Sequence, residues 1–387
     1  EGTYQEVQMV TKTNNRMIDG AAVNVRDFGA VGGLDDTTAI LSAFAFADAN
    51  DVPVDMGSGS YNVTTLNTKF PRVIYGNNWI LNCLGVCEFT YDNDVDWTGG
   101  TITSTDVFGI NKDADKIDPS NGSSVMLLTN AEPITKMKCH LRFLYITDDT
   151  VTTRGEGFLR VSSFEPCEYD MDTVMTGGII SFWTNSEGGT LSGNMNFYNF
   201  ETGVLKRSGL NEDLRIIAHN LPTEIANFRP TSTAGSVNGK DAILSEAGTV
   251  QTVSTDLYLH TRYNIERGAY LQRAGSGTIV SYSYGNDGGK CTDSCDGLVI
   301  HSNSVLVVGG STEQRYAWQI YGGVNGAVKN CDIYPVCRNL TGVPGNKEAV
   351  SILGLVENIT AHKPYAYECG NGIWLAQQVG GVFELRA

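Results

Sequence analysis

From residue 61 onward the chain alternates apolar and polar residues in short runs, broken repeatedly by Gly, Asn or Asp. A period of two marks half-buried strands, with turns at the breaks. One segment departs from it. In Thr37–Asn50 the apolar residues Ile40, Phe44 and Ala47 recur at i, i+4 and i+7, which predicts an amphipathic helix with Asp36 at its N-cap. The strand phrases also repeat: "GGTIT" (99–103), "GGTLS" (188–192) and "SGTIVS" (276–281) each set a β-branched strand behind a glycine turn. Further on, "SNSVLV" (302–307), "KNCDIY" (329–334) and "ENITAH" (357–362) align through Asn303, Asn330 and Asn358, spaced by 27 and 28 residues, and "GGVFEL" (380–385) follows. A repeat of that length holds about three strands of four to six residues with their turns. One such coil cannot bury its inward face alone, so successive coils must stack, and the chain reads as an all-β solenoid. Asparagines at one position of successive coils are expected to pair their amides in a ladder.

Composition and charge narrow the picture. A hydrophobic content of 41% supports a folded core rather than disorder. A net charge of −16 repels nucleic-acid phosphates and acidic lipid surfaces, so neither nucleic acid nor a membrane is an expected partner. No apolar run approaches the roughly 20 residues that span a bilayer. The chain starts at Glu1 rather than Met, which implies a trimmed N-terminus and leaves room for a leading domain. Its nine cysteines lack a C-x-x-C pair and stand beside only five histidines, so no metal site is expected. They read as buried thiols in a protein folded in a reducing cytoplasm.

The stretch "VRDFGAVGGLDDTTAILSAFAFADAN" (25–50) runs strand, glycine loop, helix, the order in which nucleotide-binding motifs begin. Its glycines, Gly29, Gly32 and Gly33, fit neither G-x-G-x-x-G nor G-x-x-x-x-G-K-[ST], and Asp35 and Asp36 stand where a phosphate would sit. No nucleotide or other cofactor is expected. With "VDMGSGSYNVTT" after it, the stretch resembles the opening signature of pectin-lyase-like proteins, matched at Val25, Asp27, Phe28, Gly29, Ala30, Gly32, Asp35, Asp36, Thr37, Ala39 and Ile40. Here the loop is two residues shorter, and Met56-Gly57-Ser58 replaces the usual Pro-Pro. The resemblance covers about 40 residues, and beyond them rests on the weak repeat. It implies a single-stranded right-handed parallel β-helix with a short N-terminal capping helix. Its members include pectin-degrading enzymes, polysaccharide epimerases and lyases, and phage tailspikes that bind and often cut cell-surface polysaccharide. The expected division is a linker over 1–22, a cap over 23–60, and a β-helix with loop insertions over 61–387. The helix is then a lid across the open first coil, whose strand edges would otherwise be free to pair.

A glycoside hydrolase needs two carboxyl groups, about 5–5.5 Å apart for retention or about 6.5–9.5 Å for inversion. Rungs of a solenoid lie about 4.7–4.9 Å apart, so acids one rung apart on one face meet the requirement. Glu266 and Asp293 are 27 residues apart, one rung by the asparagine register, and Asp293-x-x-Asp296 lies in a polar glycine-rich turn. This makes Glu266, Asp293 and Asp296 the candidate catalytic residues, an arrangement that also resembles the active site of some tailspike endoglycosidases. Tyr263, Arg267, Tyr284, Asp287 and Trp318 are the candidate substrate contacts. The acids Glu165, Glu168, Asp170, Asp172, Glu212 and Asp213 read as solvated loops. The segment "YDNDVDW" (91–97) lacks the full calcium-loop pattern. His260 and His301 read as polar strand residues, with a base role in a lyase as the alternative.

These readings converge on a tailspike-type protein that hydrolyses host cell-surface polysaccharide, folded in the host cytoplasm and carried on the virion tail. The resemblance implies a homotrimer in company with other tail or baseplate proteins. It also leaves room for a C-terminal trimerisation or binding domain beyond the strand "GGVFELRA". Two alternatives stay open. A polysaccharide lyase would need a basic cleft, which 27 Lys and Arg spread over an acidic chain do not suggest. A receptor-binding or structural tail protein would keep the fold without the activity.

Overall fold

Alternating residues must find a partner for their inward faces, and here each strand finds it in the next coil. A computed structural model of the protein describes residues 22–105, 108–112, 134–145, 157–161, 165–184, 186, 188–206, 210–219, 239–245, 254–262, 265–285, 287–306, 315–323, 326–340, 347–376 and 383–386. Every pairing between its strands is parallel. Three rows of paired strands form the N-terminal coils, and from Asn211 on two rows climb the axis. One runs through Asn211–His219, Thr255–Arg262, Gly277–Gly285, Leu298–Leu306, Val328–Asn339 and Val356–His362. The other runs through Gly239–Ser245, Ile265–Gln272, Asp287–Thr292, Arg315–Gly322, Lys347–Gly354 and Asn371–Ala376. The long strands Cys167–Thr184 and Gly189–Lys206 contribute to both rows. The fold is a right-handed parallel β-helix, the hand that such crossovers adopt.

The helix forms over Thr37–Asn50, and its buried residues are Ile40, Ala43, Phe44 and Ala47, the face its periodicity marks. Phe44 meets Phe70 edge-on at 5.6 Å, and Phe70 meets Phe89 and Trp97 at 5.0 Å each, so the lid continues an aromatic stack inside the first coils. Asp36 stands at the N-cap position without capping the helix through its side chain. Its carboxylate turns the other way and accepts from the N–H groups of Val31 (2.9 Å), Gly32 (3.3 Å) and Asn62 (3.3 Å). The Asp35 carboxylate instead accepts from Thr37 N–H at 3.0 Å. The paired aspartates thus divide the work: one starts the helix, the other fastens the glycine loop to the first coil. Residues 1–21 of the expected linker lie outside the described residues.

The rungs are unequal. Arg267 aligns with Asp287, 20 residues on, while Ile300 aligns with Ile333, 33 residues on. The asparagine ladder therefore exists with one member changed. Asn358 donates its amide to Asn330 Oδ1 (2.9 Å), and Asn330 donates to Asp296 Oδ1 (2.8 Å). Asn303 aligns with Val336 instead and has no place in the ladder.

The interior narrows toward the C-terminal coils. Gly268, Gly288 and Ala317 face Ser281, Ser302 and Ser304, whose hydroxyls donate to the carbonyls of Gly288 (3.3 Å) and Ala317 (3.0 and 3.5 Å). A β-carbon on Gly288 would lie 2.2 Å from Ala317 O and 2.7 Å from Ser302 Oγ. Overpacking of this kind costs about 1–3 kcal/mol. Gly288→Val is expected to lower stability by at least that amount in a urea titration, whereas Val299→Ala, on the outer side of a neighbouring coil, is expected to change it little.

Candidate functional site

The register places the expected catalytic trio apart. Glu266 stands near the start of Ile265–Gln272, and Asp293 follows the end of Asp287–Thr292, where its carbonyl accepts from Arg273 N–H at 3.0 Å. The two positions are offset by seven residues along the strand direction, roughly 20 Å, too far for a carboxylate pair. A rung of 20 residues at this point, rather than 27, is the reason. Asp293 is 8% exposed, with Gly323 packed against its carboxylate. Asp296 is engaged in the ladder with Asn330.

The expected substrate contacts divide similarly. Trp318 is fully buried beneath Gly289, where the close approach leaves no room for a β-carbon, so its ring faces the core and not a ligand. Asp287 is 4% exposed and accepts from Tyr316 N–H at 3.1 Å, which makes it a brace between coils. The Arg267 guanidinium lies over the Tyr270 ring at 4.7 Å. Tyr284 is exposed on the outer face of Gly277–Gly285. Tyr263 lies outside the described residues.

What the register does bring together is a column of polar residues on the outer face of the other row. Asp96, Lys138, Asp170, Ser192, Asp213 and Asp256 align one above the next over six coils. The first three are compensated: Lys138 Nζ is 3.1 Å from Asp96 Oδ1, and His140 Nε2 is 3.0 Å from Asp170 Oδ1. Asp213 and Asp256 are different. They are exposed carboxylates one rung apart, and their strands are about 4.8 Å apart. Asp256 Oδ1 accepts from Thr278 N–H at 2.8 Å, which orients that carboxylate. Both line an open cavity of about 420 Å³ with Asn194, Arg215, Tyr258 and Thr278. The Arg215 guanidinium rests over the Tyr258 ring at 5.4 Å, forming one wall. Gly193, at φ +114°, lets the chain pass close to Met171 O at the floor, where a β-carbon would come within 2.0 Å.

Sequence reasoning set Asp213 aside as part of a solvated loop and did not single out Asp256. Glu168, Asp170, Asp172, Glu212 and Asp213 all lie on strands. The usable signal was the shared phrase Asp213-Leu214-Arg215-Ile216 and Asp256-Leu257-Tyr258-Leu259, the same alternation on adjacent coils. Alternation turns Glu212 inward, where it meets Lys206 at 2.6 Å with both side chains 1% exposed.

The other polar clusters have structural partners. Asp92 pairs with Lys69 at 2.8 Å. Asp94 gathers the N–H groups of Thr135 (2.6 Å) and Lys136 (2.9 Å). Against the cost of partial burial, these hold its carboxyl below the ordinary range. The nine cysteines are free thiols, eight of them buried. Burial pushes Cys167 and Cys331 up to about 12, which leaves them inert as nucleophiles. Among the described residues no helix is long and apolar enough to cross a membrane, and no cluster of three or more metal-ligating side chains occurs.

No protein-family model matches the chain, and no curated protein matches its sequence. Solved structures do. An α-1,3-glucanase of glycoside hydrolase family 87 from Streptomyces thermodiastaticus aligns over 95% of this chain and 68% of its own, at 13% identity and a TM-score of 0.37. Tailspike protein 3 of bacteriophage CBA120 aligns over 95% of this chain and 62% of its own, at 12% identity and a TM-score of 0.36. PfbA, a surface adhesin of Streptococcus pneumoniae, aligns over 94% and 90%, at 13% identity and a TM-score of 0.34. Likenesses this distant carry no argument about activity, which rests on the geometry alone.

The buried Lys206–Glu212 pair, whose glutamate directly precedes Asp213 on its strand, gives a stability test. Removing one member of a buried ion pair costs about 3–5 kcal/mol, because the other charge stays buried alone, while replacing both is often neutral. Lys206→Met is expected to lose that much in a denaturant titration. The double variant Lys206→Met with Glu212→Leu is expected to recover most of it.

Proposed function

We propose that this protein binds an extended polysaccharide along the outer face of its β-helix and hydrolyses it with Asp213 and Asp256. The observation that supports this most is the stacking of the two exposed carboxylates one rung apart in an open cavity. That separation falls near the spacing of retaining enzymes. Asp256, oriented by Thr278 N–H, is placed to attack the anomeric carbon, and Asp213 to protonate the departing glycosidic oxygen. Asp213 then takes a proton from the water that releases the glycosyl-enzyme. The overall reaction consumes one water and leaves the anomeric configuration unchanged. In this reading the chain works as a homotrimeric tailspike that engages host surface polysaccharide alongside other tail or baseplate proteins. Light scattering would then give the mass of three chains.

A reducing-end assay against a panel of purified bacterial surface polysaccharides tests the proposal. Wild-type protein is expected to release ends from at least one of them, with retention seen by NMR. Asp213→Asn and Asp256→Asn are each expected to lower the rate by about 10²–10⁴-fold, the usual size of one acid–base or nucleophilic contribution. Full activity in both variants would sink the assignment. Binding without cleavage by wild type would make this a receptor-binding module. Unsaturated uronate ends would make it a lyase.

A further inference from the structure

Beside the carboxylate column, the same outer face carries a surface of opposite character. The three outward positions that follow Asp213 on its strand align with those on five further coils, as far as Tyr365 and Tyr367. Among these eighteen register positions there is no carboxylate, in a chain with 43 of them and a net charge of −16. They hold Arg215, Arg262 and Arg338, all exposed. They also hold six exposed tyrosines: Tyr258, Tyr282, Tyr284, Tyr334, Tyr365 and Tyr367. Four of the chain's five histidines occupy positions here, at 219, 260, 301 and 362, and the fifth, His140, sits on the same face further back. His301, Tyr334 and His362 form a continuous stack with ring centroids 4.6 and 4.4 Å apart and planes within 13°.

We infer that this strip is the binding surface for an acidic polysaccharide, one bearing uronate, sialate or similar anionic units, and that it feeds the Asp213–Asp256 cavity. The inference builds on the proposed function and names its substrate class. Charge complementarity carries it. Three exposed arginines line the strip on a molecule of strongly negative net charge, and Asp332, which holds His362 at 2.7 Å, stands at its edge rather than on it, so the strip offers an acidic polymer a track along the axis. Its shape suits the same occupant. The grid repeats at about 4.8 Å along the axis and sets planar rings and hydroxyls between guanidinium groups, which pairs the flat faces of sugar rings with donors for their carboxylates. Arg215 and Tyr258 belong to both the strip and the cavity wall, so the track ends at the carboxylate pair. The basic surface that the sequence did not suggest is therefore present, gathered by the register from residues scattered over about 150 positions.

Binding is measured apart from cleavage, on Asp256→Asn protein, against acidic and neutral bacterial polysaccharides and against each acidic one after chemical reduction of its carboxylates. The expected result is binding confined to acidic polymers. It should weaken as salt is raised, and at least ten-fold on carboxylate reduction. Arg262→Gln with Arg338→Gln, both outside the cavity, is expected to lower affinity at least ten-fold and flatten the salt dependence. Binding of neutral or carboxyl-reduced polymers with equal affinity would overturn the inference, as would no binding to any acidic one. Unchanged binding in the arginine double variant, with loss of its oligomeric state, would reassign the strip to contact with a second copy of this chain. Loss of cleavage assignment to Asp213 and Asp256 would leave these binding results unaffected, so the two readings fail separately.

Discussion

Parallel pairing between coils is the constraint on which the rest of this structure depends. Each strand satisfies its backbone only through the coils before and after it, and the pairing lays each residue over a fixed partner about 4.8 Å away. Side chains thus come in columns, and a column exposes every electrostatic choice. Like charges directly opposed are unfavourable, and most of this molecule avoids them. Asp96 is followed by Lys138, and Asp170 leans on His140 before the neutral Ser192. The ladder follows the same logic with Asp296 under Asn330. Asp213 over Asp256 is a departure, two exposed carboxylates in succession with Thr278 N–H bound to one of them. A local conflict in a consistent fold is the kind of place where function is to be sought.

The interior obeys the same columns with a different currency of size. Near the helix the core holds Phe44, Phe70, Phe89, Trp79 and Trp97, all essentially fully buried. Around Gly268, Gly288 and Ala317 the two rows approach closely, and serines bridge them by donating to carbonyls. Such hydroxyls lose little by burial because each finds a partner. The narrow coils carry the strip of tyrosines and arginines on their outside, so a rigid, small-residue interior backs the broad aromatic surface.

How much of this was legible in the sequence depends on range. The opening signature and the helix are local, and Ile40, Phe44 and Ala47 turned out to be buried as the 3.6-residue period requires. The step from Asn330 to Asn358 is a true rung because no long insertion intervenes. Extending that step elsewhere failed, since rungs run from 20 to 49 residues and loop length is not written in the strand pattern. That failure displaced Glu266 from Asp293. Trp318 was misplaced for a second reason: an aromatic in an alternating strand belongs to either face until the register is known. Asp213 and Asp256 are separated by 43 residues, a spacing outside the asparagine register, and meet through the pairing of their two strands.

The acidic composition itself gains a reading from this arrangement. A net charge of −16 holds an anionic polymer off most of the surface, and the repulsion is as useful for specificity as the attraction along the strip. In the proposed reading, a polymer that approaches over Arg215, Arg262 and Arg338 is aligned with the helix axis before any close contact forms. In that reading its end of travel is where Arg215 gives way to two carboxylates, which would repel a carboxylate-bearing unit and receive the glycosidic linkage between units. The change of sign across a single residue step, from column Asp213–Asp256 to column Arg215–Tyr258, then sets which bond lies over the reactive pair. A uniformly basic groove would bind such a chain more tightly but would let it slide. The proposed charge pattern would convert binding along the axis into a position along it.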